Sequence, residues 1–573
     1  MDKEEQEMGK GVAAPADPVA KRPFFYLVRE KEIFASPQPD GRGIQFLYQD
    51  NGRITDSARI TGNISDQSML KLLETTEGFR KLVHSIGVTV SAQDSSRKAD
   101  FVFQMYGKTD IYHSGTSICH TVYCDGMEHV YALEEEEWSG DDNVPGQIRF
   151  VFDEPETVAA VNVKLYLNDG FAAPEVIEDF DIDYTAKAYQ DMIARSVMSM
   201  GNMTKIKKVI DKAKNGGQVT LAYIGGSITQ GAGAVPIHTN CYAYRSYRAF
   251  ADRYGTGGNV RFVKAGVGGT ASELGVVRFE RDILDYGECN PDLVVVEYAV
   301  NDEGDETKGV CYESLVRKIL KLPNHPAVIL LFLVFSYDWN LQERLSPVGY
   351  HYHLPMISIK DAVTEQFSWS REKGRVLSKN QFFYDIYHPS NVGHRIIADC
   401  LLNLFHEIDQ RNADDIGIEA ELPDTYAIGS DFEDVHLLDR KDNTAGAVID
   451  CGDFCNIDDR LQSVERNKDT VQTPQFPHNW FHKDGSRPFV MKIECRALLI
   501  LFKDSADCDV GKANVYIDDR MAFVLDPREV GWIHCNARII FNDKESRMHT
   551  VMIAMEPGCE GRQFTILGFG YVS

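Results

Sequence analysis

The chain has 573 residues, 43% of them hydrophobic and 25% charged. At roughly 150 residues per domain this length allows three or four domains, and the composition excludes disordered, collagenous and low-complexity classes. A formal net charge of −26 repels phosphate backbones and anionic lipid, which argues against nucleic-acid and membrane-surface partners.

In chain order, residues 1–22 read as a loose polar tail that opens MDKEEQEMGK and holds no apolar signal segment. The twelve cysteines are sparse for this length and therefore read as reduced thiols, so a soluble, cytoplasmic protein is expected. The longest apolar run, Ala327 to Phe335, is nine residues, about half of what a bilayer crossing needs. Residues 23–185 show short β-type runs separated by turns, among them Gly43–Tyr48, Ala99–Tyr106, Gly146–Phe152 and Val161–Leu167. With no helices alternating between them, they predict an N-terminal β-sandwich or jelly roll.

The texture changes at 186. Helical periodicity over Ala186–Lys214 predicts a linker helix leading into alternating strands and helices up to about 415. The strands are expected at Val219–Ile224, Arg261–Val267, Leu293–Val300 and Val328–Phe335, with a last helix at Ser390–His406. That alternation predicts βαβ units and a mostly parallel sheet covered on both faces, with ligands at the carboxyl ends of its strands. From 420 to 573 β texture returns and predicts a second, C-terminal β-sandwich.

Four segments of the α/β region carry residue types suited to acyl chemistry. Ile224-Gly225-Gly226-Ser227-Ile228-Thr229 follows a strand, and its glycines permit a tight turn that exposes the serine hydroxyl. Ala265-Gly266-Val267-Gly268-Gly269-Thr270 is a glycine-rich turn whose backbone N–H groups can approach a ligand. In the run Val295 to Asp302, the Asn301 amide at a strand end can donate to an oxyanion. In Asp385-Ile386-Tyr387-His388-Pro389, the spacing of three lets Asp385 fix the tautomer of His388. Each segment alone is ordinary punctuation; the four in this order are far more specific.

Together they resemble the SGNH (GDSL-like) hydrolase superfamily in its GGSIT variant, over roughly residues 215–410. The resemblance implies a three-layer α/β/α, flavodoxin-like core. It matches Ser227 to the nucleophile, His388 to the general base and Asp385 to its orienting carboxylate. It also makes Ser227, Gly269 and Asn301 the oxyanion hole, with Gly268 the neighbouring choice for the glycine donor. No metal or cofactor is implied. His113, Cys119, His120, Cys124 and His129 lie close together, but their spacing fits no standard zinc pairing.

The flanking β modules and the GGSIT block are similar to carbohydrate O-acetylesterases of the second and seventeenth carbohydrate esterase families. That likeness implies removal of O-acetyl groups from xylan- or mannan-type oligosaccharides. Tyr298, Tyr337, Trp339, Tyr387 and Trp480 are aromatic candidates for stacking on sugar rings, Trp339 first among them, and Gly268, Trp339 and Tyr387 are the expected substrate contacts. The alternatives are an esterase or lysophospholipase for lipid or small-molecule acyl esters, and a carbohydrate-binding protein with an inactive core. Whether the chain forms a homo-oligomer is left open.

Overall fold

The computed structural model describes residues 22–48, 53–62, 64, 66–174, 179–369, 371–412, 421–465 and 472–573. The tail expected at 1–22 therefore lies almost wholly outside the described residues. The chain divides into two compact units, residues 1–179 and 180–573.

The first unit holds two antiparallel sheets. One runs in the order Phe24–Phe34, Val158–Leu167, Val83–Ala92, Asp125–Ala132. The other runs Ser36–Pro37, Gly43–Tyr48, Asp142–Phe152, Lys98–Gly107, Ser117–Tyr123. The expectation of a helix-free region is corrected by three short helices, Arg53–Ile60, Gln67–Leu72 and Thr76–Leu82. Asp66 and Thr75 cap the second and third by accepting from the Ser68 and Gly78 N–H groups. Phe79 buries its ring against Phe103, with centroids 5.2 Å apart. Caps and a few buried positions suffice for helices this short, which carry too little periodicity to show in the sequence. Of the clustered histidines here, His113 pairs with Asp110 and His120 with Glu136; among the described residues no group of three or more ligand-type side chains could hold a metal ion.

In the second unit the single helix expected over Ala186–Lys214 is broken into a helix at Lys187–Ala194, a strand β1 (Val197–Ser199) and helix α1 (Thr204–Lys214). Gly201, at φ +51°, sits between strand and helix, a backbone turn that a continuous helix cannot contain. Next come β2 (Val219–Gly225), α2 (Ser227–Gln230), α3 (Tyr242–Tyr254), β3 (Val260–Gly266), α4 (Ser272–Asp282) and β4 (Leu293–Glu297). They are followed by α5 (Val310–Leu320), β5 (Ala327–Phe332), β6 (Met356–Ser358), α6 (Ile359–Ser368) and α7 (Asn391–Asp409). The sheet order is β1-β6-β5-β4-β2-β3, parallel except for the β1–β6 edge pair.

Alternation along the strands sorts the two faces. Leu221, Tyr223, Val295 and Ile329 pack with Ile206, Phe250, Val363 and Leu404 from α1, α3, α6 and α7. Ala222, Ile224, Val294, Val296 and Leu330 face the other way, onto Val276 of α4 and Leu315 of α5. Chain order reverses at β2, whose neighbours are β3 on one side and β4 on the other. Ligand crevices in open α/β sheets form at such a reversal, past the carboxyl ends of the strands.

A further antiparallel sheet carries β7 (Phe489–Asp504), β8 (Ala513–Ile517), β9 (Arg520–Leu525), β10 (His534–Met555) and β11 (Phe564–Val572). Its order is His436–Leu438, β11, β7, β10, β8, β9. Leu499 and Leu501 of β7 and Val572 of β11 join the same core as α4 and α5. The residues read from sequence as a separate module thus share apolar packing with the α/β sheet. No described helix is long and apolar enough to cross a membrane. All twelve cysteines are free thiols.

Candidate active site

Ser227 is the first residue of α2, directly past β2. The turn is tight because Gly225 and Gly226 carry no side chains. A Cβ on Gly226 would overlap Asn301 Oδ1 and stand 2.7 Å from Cγ and 3.0 Å from Nδ2. Only glycine at 226 therefore admits the Asn301 amide beside the serine turn. The amide arrives there because Asn301 lies in the turn just past β4, its N–H donating to the Tyr298 carbonyl at 2.9 Å.

His388 comes from the loop before α7 and places Nε2 2.9 Å from Ser227 Oγ. Its Nδ1 lies 2.8 Å from Asp385 Oδ2. The loop holds itself: Asp385 Oδ1 accepts the N–H groups of Tyr387 and His388, each at 2.8 Å, a local turn available to any Asp in this position. Burial raises the Asp385 pKa, but the His388 charge and hydrogen bond and the two backbone donors outweigh it and hold the carboxyl below its usual range. An anionic Asp385 can accept the Nδ1–H of His388, and the ring in that tautomer can accept from Ser227 through Nε2.

Under the serine turn lies Glu297, fully buried at the end of β4. Its Oε2 accepts from Thr229 Oγ1 at 2.8 Å and from the Gly226 N–H at 3.3 Å, while Oε1 is buried with no hydrogen-bond partner among the described residues. Burial pushes its carboxyl up to about 8, against the smaller opposing effect of those donors, so at neutral pH it is mostly protonated and neutral. Arg278 of α4, also fully buried, donates to the Gly225 carbonyl at 3.0 Å and to the Tyr298 hydroxyl at 3.1 Å. Lys264 of β3 donates to the Gln230 carbonyl at 2.9 Å. The turn is therefore held from both sides by buried side chains.

The glycine loop past β3 reaches the same place. A Cβ on Gly268 would stand 3.7 Å from Ser227 Cβ, so Gly268 is beside the serine. Gly269 has φ +71°, in the left-handed region, and its α-carbon faces the Trp532 ring, 2.9 Å from where a Cβ would lie. Trp532 is 43% exposed, and its ring lies 4.7 Å from that of His534. Next to His388, Tyr387 packs on Phe335 at 4.8 Å, Trp339 stacks on the same Phe335 at 5.8 Å, and Tyr337 lies 6.3 Å from Trp339.

The structure thus brings together Ser227, Asp385, His388, Asn301, Gly268, Gly269 and Tyr387, with Trp339 one ring away. Two aromatic candidates do not reach the site. Tyr298 is fully buried and bonded to Arg278; Trp480 packs in the core of the C-terminal sheet against Phe489 and Phe569. The residues that sequence reasoning missed are Trp532, His534, Gln462 and Glu297. The first three come from strands and loops more than 190 positions after the glycine loop, and no local motif marks them. Glu297 did carry a signal, a lone carboxylate ending an otherwise apolar strand.

A family model described as GDSL-like lipase/acylhydrolase matches residues 223–396. No curated protein matches the chain in sequence. A solved two-domain esterase (CEX) active on acetylated mannans is 23% identical, with a TM-score of 0.56, over 66% of this chain and 99% of that one. The structure of such an esterase co-crystallised with mannopentaose gives 23% identity and a TM-score of 0.55, over 69% of this chain and 100% of that one. At these identities the likeness is one of fold. Ser227, Asn301 and His388 all lie inside the matched stretch, so residues 223–396 are similar to the GDSL-like lipase/acylhydrolase family, and in this chain they are joined to further β-rich sheets.

Proposed function

We propose that the protein is a serine esterase that removes O-acetyl groups from oligosaccharides. The observation that carries this reading is the hydrogen-bonded chain Ser227–His388–Asp385, with contacts of 2.9 and 2.8 Å, at the carboxyl edge of the sheet. Ser227 Oγ attacks the acetyl carbonyl while His388 Nε2 takes the hydroxyl proton. The tetrahedral oxyanion is held by the Ser227 and Gly269 N–H groups and the Asn301 amide. Collapse transfers the proton from His388 to the departing sugar oxygen and leaves acetyl-Ser227. Water then attacks the acetyl-enzyme, again losing its proton to His388; the second collapse releases acetate and returns that proton to Ser227.

The saccharide assignment rests on the aromatic groups near the site: Trp532 against Gly269, and Tyr387, next to His388, packed on Phe335 together with Trp339 and Tyr337. Flat apolar faces with polar edges suit sugar rings. The fold likeness to an esterase active on acetylated mannans puts acetylated manno-oligosaccharides first among the substrates to try, with xylo-oligosaccharides second. The finer fold reading belongs with it: a flavodoxin-like core, residues 186–415, between jelly-roll-like sandwiches at 23–185 and 420–573. The net charge of −26 favours a neutral glycan over a lipid surface, and a cytoplasmic location accords with free cysteines throughout.

The test is acetate release from acetylated manno- and xylo-oligosaccharides by wild type and by Ser227→Ala. Release by wild type alone supports the whole reading. Turnover of a small activated acetyl ester without release from either glycan keeps the serine esterase and removes the glycan.

A further inference from the structure

We infer that Gln462, seconded by His534, is a positioning residue that aims the Gly269 N–H at the oxyanion; the inference rests on the serine-esterase reading above. In a trans peptide the C=O and the following N–H point in opposite directions within one rigid plane. The plane that carries the Gly269 N–H also carries the Gly268 carbonyl, and that carbonyl accepts from Gln462 Nε2 at 2.9 Å. Fixing the carbonyl fixes the donor. Gln462 is itself fixed, since it is buried and its Oε1 accepts the Cys535 N–H at 2.9 Å. With a carbonyl on one side and an N–H on the other, its amide has a single satisfactory orientation.

The next peptide plane is held from the same side. The Gly269 carbonyl accepts from His534 Nε2 at 3.0 Å, and His534 Nδ1 faces the fully buried Asp504 at 3.4 Å. Two adjacent glycines, one of them at φ +71°, have wide conformational freedom when untethered. An oxyanion donor is effective only when it is already in place as charge develops. Both tethers come from the C-terminal part of the chain: Gln462 in the loop before Ser463–Glu465, held by the Cys535 N–H of β10, and His534 at the start of β10. The C-terminal sheet is on this account a working part of the oxyanion hole, and the role is distinct from any contact with sugar.

The experiment compares full-length wild type, Gln462→Leu and Gln462→Glu on 4-nitrophenyl acetate, with Ser227→Ala as control. Thermal melts establish folding, and inhibition by a methylphosphonate ester or a boronic acid, both tetrahedral mimics, gives the second readout. The expected result is a kcat lower by about 10- to 100-fold, a KM within twofold, and a parallel loss of affinity for the mimic, in proteins that melt like wild type. Gln462→Glu keeps the size and the Cys535 contact while turning an oxygen toward the Gly268 carbonyl, so it reports on aim if Gln462→Leu folds poorly. Folded variants with wild-type kcat, or a change in KM alone, overturn the inference and leave the esterase intact. Wild type that fails to turn over the ester, or Ser227→Ala that still does, overturns the esterase reading and this inference with it.

Discussion

Gly226 and the Asn301 amide are in such close contact that a methyl group on the glycine would stand 2.7 Å from Asn301 Cγ. The turn that carries Ser227 and the strand end that carries Asn301, the proposed side-chain oxyanion donor, are thus matched to one another across 75 positions of chain. Gly226→Ala is expected to displace the amide and to lower kcat by about 10²–10³-fold, the same loss expected when Asn301→Ala deletes the proposed donor. Steady-state kinetics on a small acetyl ester checks it. Wild-type turnover in a folded Gly226→Ala protein would show that Asn301 is not the donor.

Asp385→Asn tests the orienting role of the carboxylate. Asparagine fits the same loop but presents an N–H where Asp385 Oδ2 accepts from His388 Nδ1 at 2.8 Å. The ring then favours the wrong tautomer, and kcat should drop about 10³–10⁴-fold with little change in KM. A loss smaller than tenfold would mean that the backbone alone orients His388.

Glu297 predicts how stability depends on pH. Its folded-state carboxyl is raised to about 8 from the ordinary 4.5. Below 4.5 the folded and unfolded chains both carry the proton. Between 4.5 and 8 the unfolded chain loses it while the folded chain keeps it, so stability falls as pH rises through that window and then levels. Glu273 is raised likewise, to about 9, by burial and the nearby Asp305. Glu297→Gln removes one titration, so its stability relative to wild type should increase from pH 5 to pH 8, by on the order of a few kcal/mol. Urea midpoints at the two pH values measure this. A difference that does not move with pH would place the Glu297 charge in the folded state throughout.

Trp532, against Gly269, and Trp339, stacked on Phe335, test the glycan reading separately. Replacing either by Ala should raise KM for an acetylated oligosaccharide several-fold more than KM for a small activated ester, the scale of one lost aromatic contact. Equal effects on both substrates would assign the rings to packing around the site.

Much of this architecture is legible in the chain itself, for local reasons. The runs at Leu293–Glu297 and Ala327–Phe332 are buried throughout, and Val219–Gly225 is buried at every position but Thr220, so they stand out from alternating half-exposed strands. Asp385 and His388 share one loop and bond through it, and Gly226 needs only its missing side chain. Those features are written in spacings of a few residues, which is also why the four motifs could be read together.

Tertiary structure alone decided the rest. Ser227 and His388 meet across 161 positions because the sheet reverses its chain order at β2 and brings two distant strand ends and the α7 loop to one edge. Trp480 and Trp532 are equally aromatic in sequence, yet one is 4% exposed in a core and the other 43% exposed beside Gly269. Side-chain chemistry sets what a residue can do at a given place. Burial and long-range packing, which depend on the whole fold, choose the place, and so it took the folded chain to show that Gln462 and His534 grip the glycine loop.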